Sequence, residues 1–381
     1  MTTASPKTWT RRAFLAAGGA GALAALPALR ATTRWLGGAD GIFLSASDDL
    51  DGRHFISATD VRGRKLFSLE VEQRCHGCVV DPRRPERAVV IARRSGTIAY
   101  DVDLAAGAIR GVVRSGPERH FFGHAVFAPD GSVLYTTEND RSRDAGLVAV
   151  RDASDLRVLA ELPTHGVGPH ELLLLPDGRT LVVANGGIVT DVVDGRGQRR
   201  DVNLAAMDPS LVYLDVRDGR RLAQLRPDDH QASIRHLALG SDGTVGVALQ
   251  YAGPEANPYP VAAFHRGEER LRLVQAPRES RVRMRRYAAS VAIAPGGVAA
   301  VTCPRGDVVA LFDVASGALV REVEIRDAGG VAVTRDGGAF VVSTGLGELH
   351  RIDAATLRPL APPRRADRTR WDNHLTPVVP S

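Results

Sequence analysis

An all-β fold, built as a ring of seven four-stranded antiparallel blades, is what the sequence predicts, on three observations. A degenerate unit returns six times along the 381 residues, its copies start roughly 40 to 66 residues apart, and each start opens an apolar run that ends near a tight turn. A period of about 40–50 residues carrying four strand-like segments is the signature of a β-propeller blade.

The units align on the turn. They are His76-Gly-Cys-Val-Val-Asp-Pro82, His124-Ala-Val-Phe-Ala-Pro-Asp-Gly131, His170-Glu-Leu-Leu-Leu-Leu-Pro-Asp-Gly178, His236-Leu-Ala-Leu-Gly-Ser-Asp-Gly243, Ser290-Val-Ala-Ile-Ala-Pro-Gly-Gly297 and Gly330-Val-Ala-Val-Thr-Arg-Asp-Gly337. A short apolar run closed by Pro-Asp-Gly or Ser-Asp-Gly reads as a buried strand entering a turn. A second apolar run follows in most copies, as in Val133 to Thr137, Thr180 to Ala184, Val298 to Thr302 and Ala339 to Ser343. The third strand ends in aspartate, as in Val148 to Asp152, Leu211 to Asp215, Val309 to Asp313 and Leu349 to Asp353, and a fourth follows, such as Leu156 to Ala160 or Leu319 to Val323.

The ends of the domain complete the ring. Gly41 to Val71 holds three strand-like segments but no leading hairpin, so it lacks an innermost strand, which Trp371 to Val378 is expected to supply. The last blade is then closed by both termini, removing an open sheet edge. A single propeller domain over residues 40–378 is expected, preceded by a segment over residues 1–33.

That leading segment carries Thr10-Arg-Arg-Ala-Phe-Leu15 followed by an Ala-, Gly- and Leu-rich stretch to Leu29. Paired arginines, a moderately apolar core and small residues describe a twin-arginine export signal, and hence a periplasmic protein exported folded, with an uncleaved membrane anchor as the alternative. The stretch is too weakly apolar to predict a stable membrane span after cleavage. Over residues 1–34, Lys7, Arg11, Arg12, Arg30 and Arg34 give five positive charges and no acid, equal to the formal net charge of +5 for the whole chain. The remainder is near neutral, so the basic balance does not point to nucleic acid. Arg281 to Arg286 and Arg364 to Arg370 read as solvated loop charge.

Three cysteines are too few for a disulfide scaffold. Cys75-His-Gly-Cys78 has redox-motif spacing but begins a strand rather than a helix, and Val79 stands where a haem-attachment histidine would be. Cys78 reads as core and Cys75 as a rim residue, either a ligand or a disulfide partner.

Histidine carries the candidate chemistry. Four of the six units begin with it, and His374 occupies the same register in the C-terminal strand. The first residues of the innermost strands collect at one mouth of a propeller channel, so His76, His124, His170, His236 and His374 are the candidate metal ligands. His120, His165 and His230 lie just upstream as a second layer, with Glu138, Glu171, Asn139, Asn185 and Arg305 on the same face and Glu138 and Glu171 as carboxylate partners. Imidazole suits iron, copper or zinc, and flanking carboxylates orient it. Affinity should weaken as pH falls through about 6.5, the reference value for histidine. The competing reading has each histidine pinning one blade to the next, and a register slip of one residue would reverse the face it points to.

Thr10-Arg-Arg, His76-Gly, Gly123-His124, Tyr135-Thr-Thr-Glu-Asn-Asp140, Gly168-Pro-His-Glu171, Leu181 to Ile188, Ser233-Ile-Arg-His236 and Trp371-Asp-Asn-His374 resemble the domain of unknown function 1513 family of exported propellers. The resemblance covers nearly all of the chain after its leader and implies a process rather than a reaction. Its members tend to be encoded beside imelysin-like and di-haem peroxidase-like periplasmic proteins in iron-uptake clusters. The expected function is therefore a periplasmic binding module for a transition metal or haem iron in metal acquisition, partnered by such proteins. The alternatives are a metal-dependent oxidoreductase or lyase with the ion at the channel mouth, and a structural ring for protein docking. No catalytic motif decides for an enzyme.

Overall fold

A computed structural model describes residues 41–143, 145–192, 199–201, 203–366 and 368–378. The predicted export segment, residues 1–33, lies outside them. Seven antiparallel sheets of four or five strands form the propeller. Blade 1 runs Cys75–Asp81, Arg84–Ala92, Ile98–Asp103 and Ala108–Arg114, from the channel outward, and blade 2 runs Arg119–Phe127, Val133–Asp140, Ala145–Asp152 and Val158–Pro163. The innermost strands of blades 3 to 6 are Pro169–Leu174, Ala232–Leu239, Ser290–Ile293 and Ala328–Val333. Blade 3 carries an added hairpin, Thr190–Val192 with Arg199–Asp201, which stretches the repeat there. In blade 7, Ile42–Asp49 pairs on one side with His54–Asp60 and on the other with Thr369–Trp371 and Thr376–Val378.

The sheets bury both faces, which is why the second strands read as unbroken apolar runs rather than alternating ones. Leu181, Val182, Val183 and Ala184 are all fully buried. Successive residues point to opposite blade interfaces: Val182 and Ala184 pack toward blade 4 with Ile234 and Val247, whereas Leu181 and Val183 pack toward blade 2 with Val148 and Tyr135.

Aspartates set the turns. Asp130, Asp177, Asp242 and Asp336 each accept from a backbone N–H two residues on, which closes the first hairpin of their blades. Asp152, Asp215 and Asp353 do the same at the ends of third strands, and Asp313 accepts from the N–H three residues on, that of Ser316. The expected fourth strand of blade 2 starts later, at Val158, because Leu156 adopts a left-handed turn conformation at φ 62°.

The innermost strands depart from the expected pattern in one respect. They begin before the repeated histidines instead of at them, and the pairing register slips at each: between Cys75 and Cys78, Phe121 and Ala125, Pro169 and Glu171, and Ile234 and Leu237. Each slip is a β-bulge, where residues leave the ladder and the strand re-aims a side chain. The histidines are thus lodged along the channel at bulges. Blade 6 has the same slip between Ala328 and Val331 but fills it with Gly329 and Gly330. Among the described residues no helix is long and apolar enough to cross a membrane.

Candidate metal centre

The bulges of blades 1 to 4 deliver His76, His124, His170 and His236, and the turn between the two C-terminal strands delivers His374. Ring centroids of His76, His124 and His236 lie 4.4, 4.5 and 4.5 Å from that of His374, which is the hub. His170 joins through His236, with their Nε2 atoms 3.3 Å apart. One nitrogen from each of His76, His124, His236 and His374 falls within 4.8 Å of the others, so this group could hold a metal ion. A tetrahedral ion with bonds of about 2.0–2.1 Å sets its nitrogens about 3.4 Å apart, so the set is slightly open relative to that geometry.

Glycine permits this crowding. Gly123, at φ 104°, lies where a Cβ would come 2.9 Å from Cδ2 of His76. A Cβ on Gly77 would run into the carbonyl oxygen of Gly123 and press on the His124 ring. The His-Gly and Gly-His pairs of blades 1 and 2 are therefore one steric solution to placing two imidazoles side by side.

Two carboxylates hold the rings from outside. His76 Nδ1 donates to Asp372 Oδ1 at 2.5 Å, and Arg74 reaches the other carboxylate oxygen at 3.0 Å. Glu171 Oε2 lies 3.1 Å from Nδ1 of His236 and accepts from the backbone N–H of Leu237 at 2.9 Å, while its Oε1 is 3.5 Å from Nδ1 of His124. With Nδ1 of His76, His236 and His124 facing these side chains, Nε2 is the atom left to coordinate an ion, the arrangement carboxylates impose on metal-bound histidines. The Nε2 atoms of His76, His124 and His374 are buried without a hydrogen-bond partner. Leaving several such nitrogens unsatisfied in one place is costly, and a shared ion is what would satisfy them.

The electrostatics favour neutral rings at His124, His170, His236 and His374. Burial first, and then the neighbouring imidazoles, push His124 and His374 well below the ordinary histidine value, and burial with His236 and Arg235 does the same to His170. His236 is lowered by burial, His76 and Arg235. Neutral imidazole therefore persists to lower pH than the reference value of about 6.5 implies. Burial pushes Glu171 up to about 8. Burial also opposes ionisation of Asp372, but His76, Arg93 and Arg74 outweigh it and hold that carboxyl well below the usual carboxylate range.

Several residues expected beside the ring are engaged elsewhere. Glu138 is buried in an ion pair with Arg151 at 2.6 Å and accepts from Thr136, so its carboxylate serves the blade interior and not the histidines. His165 makes its hydrogen bond to the carbonyl of Gly219, in the turn between the outer strands of blade 3, and His230 is exposed beside Asp229. Asn185 is buried, donating to the carbonyl of Thr164, and Arg305 stacks 4.0 Å over the Tyr287 ring. His120 and Asn139 are register partners lining a separate small cavity with Arg94, Ser95 and Phe122. The cysteines reverse their expected places: Cys75 is buried, Cys78 is partly exposed, and both are free thiols. Burial pushes both thiols up, which leaves them protonated and poor ligands.

Asp372 was not among the expected site residues. Its signal lies in Trp371-Asp-Asn-His374, where a carboxylate two residues before a ligand falls on the same side of an extended chain.

Fold and site together define a β-propeller whose channel is crossed by a layer of histidines. The chain belongs to the family described as protein of unknown function (DUF1513), whose model matches residues 69–378. Hydrazine synthase from Kuenenia stuttgartiensis is similar in structure, with a TM-score of 0.60 and 17% identity over 81% of this chain and 95% of that one. At that identity the likeness is one of fold. No curated protein matches the chain in sequence.

Proposed function

We propose that this protein is a periplasmic metal-binding propeller in which the histidine layer holds one transition-metal ion, iron, copper or zinc, as part of metal acquisition. The carrying observation is the convergence of His76, His124, His236 and His374, the Nε2 atoms of His76, His124 and His374 being buried and unpartnered, with Asp372 and Glu171 behind the rings. A hydrogen-bonded blade pin would have spent those nitrogens on backbone groups. The chamber beside the ring, about 170 Å³, is smaller than the roughly 300–1,000 Å³ of pockets for drug-sized ligands, which argues for an ion over a haem group.

Export by the twin-arginine route, supported by Arg11 and Arg12 ahead of the apolar stretch to Leu29, and partnership with imelysin-like and di-haem peroxidase-like proteins, supported by the sequence resemblance, belong to the same reading. The enzyme alternative, a metal-dependent oxidoreductase or lyase, gains from Glu171, a carboxyl within reach of two ligands on the chamber wall. The deciding experiment is elemental analysis of the full chain expressed through its own export signal, followed by titration of the stripped protein with iron(II), copper(II) and zinc(II). One tight equivalent per chain, lost in the His124→Ala/His374→Ala double variant, is expected. A wild-type protein that takes up none of the three ions would overturn the proposal.

A further inference from the structure

The histidines occupy only part of the ring. Blades 7, 1, 2, 3 and 4 supply imidazoles, whereas the aligned positions of blades 5 and 6 are Ser290 and Gly330. Blade 6 keeps the bulge that elsewhere projects a histidine, yet it places glycine there. A Cβ on Gly330 would come 2.8 Å from Oγ of Ser343 and 2.9 Å from the backbone of His374, so no side chain fits.

The space lies on that side. A chamber of about 170 Å³ is bounded by His124, His236, His374 and Glu171 on one wall and by Ser290, Val291 and Val331 on another. It opens to solvent, carries no lysine or arginine in its lining, and also presents Leu237, Leu375 and Pro377 together with Cys78 and Thr376. At roughly 30 Å³ per water in the liquid, it holds a few waters or a ligand of similar size.

We propose that the bound ion keeps one coordination position turned to this chamber, and that the position takes a small exogenous ligand of no more than about five heavy atoms. The inference rests on the metal-binding reading above and adds to it an open, exchangeable position and a size limit. Four imidazoles from one sector of the ring leave the opposite sector without a protein ligand, and a metal site that keeps an open position is one that exchanges ligands or does chemistry there, whereas a structural site is closed. The other donors in the lining are the Ser290 and Thr376 hydroxyls and the Cys78 thiol, which burial keeps protonated and a poor ligand. The Ser290 and Thr376 hydroxyls in the lining are the groups that could donate a hydrogen bond to an anionic ligand in that position.

Azide is the probe. Copper(II)-loaded protein is titrated with sodium azide, following the azide-to-copper charge-transfer band and the electron paramagnetic resonance spectrum, with copper content measured before and after. A new band that saturates without loss of copper is expected. Val331→Phe and Ser290→Leu, which fill the chamber from different blades, should each weaken azide binding at least tenfold while copper stoichiometry stays at the wild-type value. If one variant fails to fold, the other carries the comparison. An unchanged spectrum in copper-loaded wild type overturns the open position, and filled variants that bind azide within twofold of wild type overturn the chamber as its route. Failure of the metal-binding reading is seen separately, as absence of copper before azide is added.

Discussion

His76 and Asp372, 296 residues apart in the chain, share a 2.5 Å hydrogen bond in which the imidazole N–H donates to a buried carboxylate. The bond ties the first blade to the C-terminal segment and orients the imidazole so that its other nitrogen faces the remaining histidines. Asp372→Asn should keep the shape of the contact while removing the charge. Loss of such a partner costs metal affinity about 10- to 100-fold, measured by competition against a chelator of known affinity, with the circular dichroism spectrum unchanged.

Metal should stabilise the fold. An ion that binds only the native state adds RT ln(1 + [M]/Kd), about 4 kcal/mol at a thousandfold excess over Kd. Melting of the stripped protein should therefore shift upward by several degrees on adding the preferred ion and return on adding a chelator. The His124→Ala/His374→Ala variant should show no shift in differential scanning calorimetry.

Glu138 and Glu171 should separate cleanly. Glu138→Ala leaves the buried Arg151 cation without its carboxylate, a loss of about 3–5 kcal/mol in comparable buried pairs, with metal stoichiometry retained. Glu171→Gln should weaken metal binding with a smaller effect on stability. Chemical denaturation alongside metal analysis of both variants checks the contrast.

Acid should unfold the ring over a defined range. Hydrogen bonds from Ser142 and then Arg143 hold Asp140 down to about 2, and the turn aspartates Asp130, Asp152 and Asp353 are lowered by N–H and O–H donors in their own turns. A carboxyl lowered on folding contributes stability above its unfolded value of about 3.8 and loses it as pH falls through the folded value. Unfolding free energy should fall between about pH 4 and pH 2, and Asp140→Asn should flatten that slope in denaturant titrations repeated across the range.

Deleting the chain after Arg368 should expose the inner edge of Ile42–Asp49, which pairs with Thr369–Trp371 and Thr376–Val378. An open strand edge invites association. The truncated protein is expected to aggregate in size-exclusion chromatography. A monodisperse product with a native spectrum would show that the ring closes without those strands.

The blades were legible because a turn such as Pro-Asp-Gly marks each hairpin and because apolar runs of strand length admit little else. Most of the histidine cluster was legible as a repeated position: alignment on the turn picks out His76, His124, His170 and His236 without any knowledge of pairing. The bulges were not, since a slipped register leaves no mark on composition, and the histidines consequently sit within the innermost strands. The flanking residues failed for a related reason. Glu138 lies on the expected strand, but which way a side chain faces depends on one residue of register, and Arg151 claims its carboxylate from the neighbouring strand. Asp372 was missed because its partner, His76, is at the other end of the sequence.

The ligands are dispersed from residue 76 to residue 374, and no two belong to the same blade. The proposed site therefore exists only once the ring is assembled, and an ion held by it would bind after folding. Under the proposed export of an already folded chain, assembly is finished on the cytoplasmic side. The choice of ion would then be made by the metal supply of the compartment in which the protein folds, and a ring closed there could carry that choice across the membrane with it.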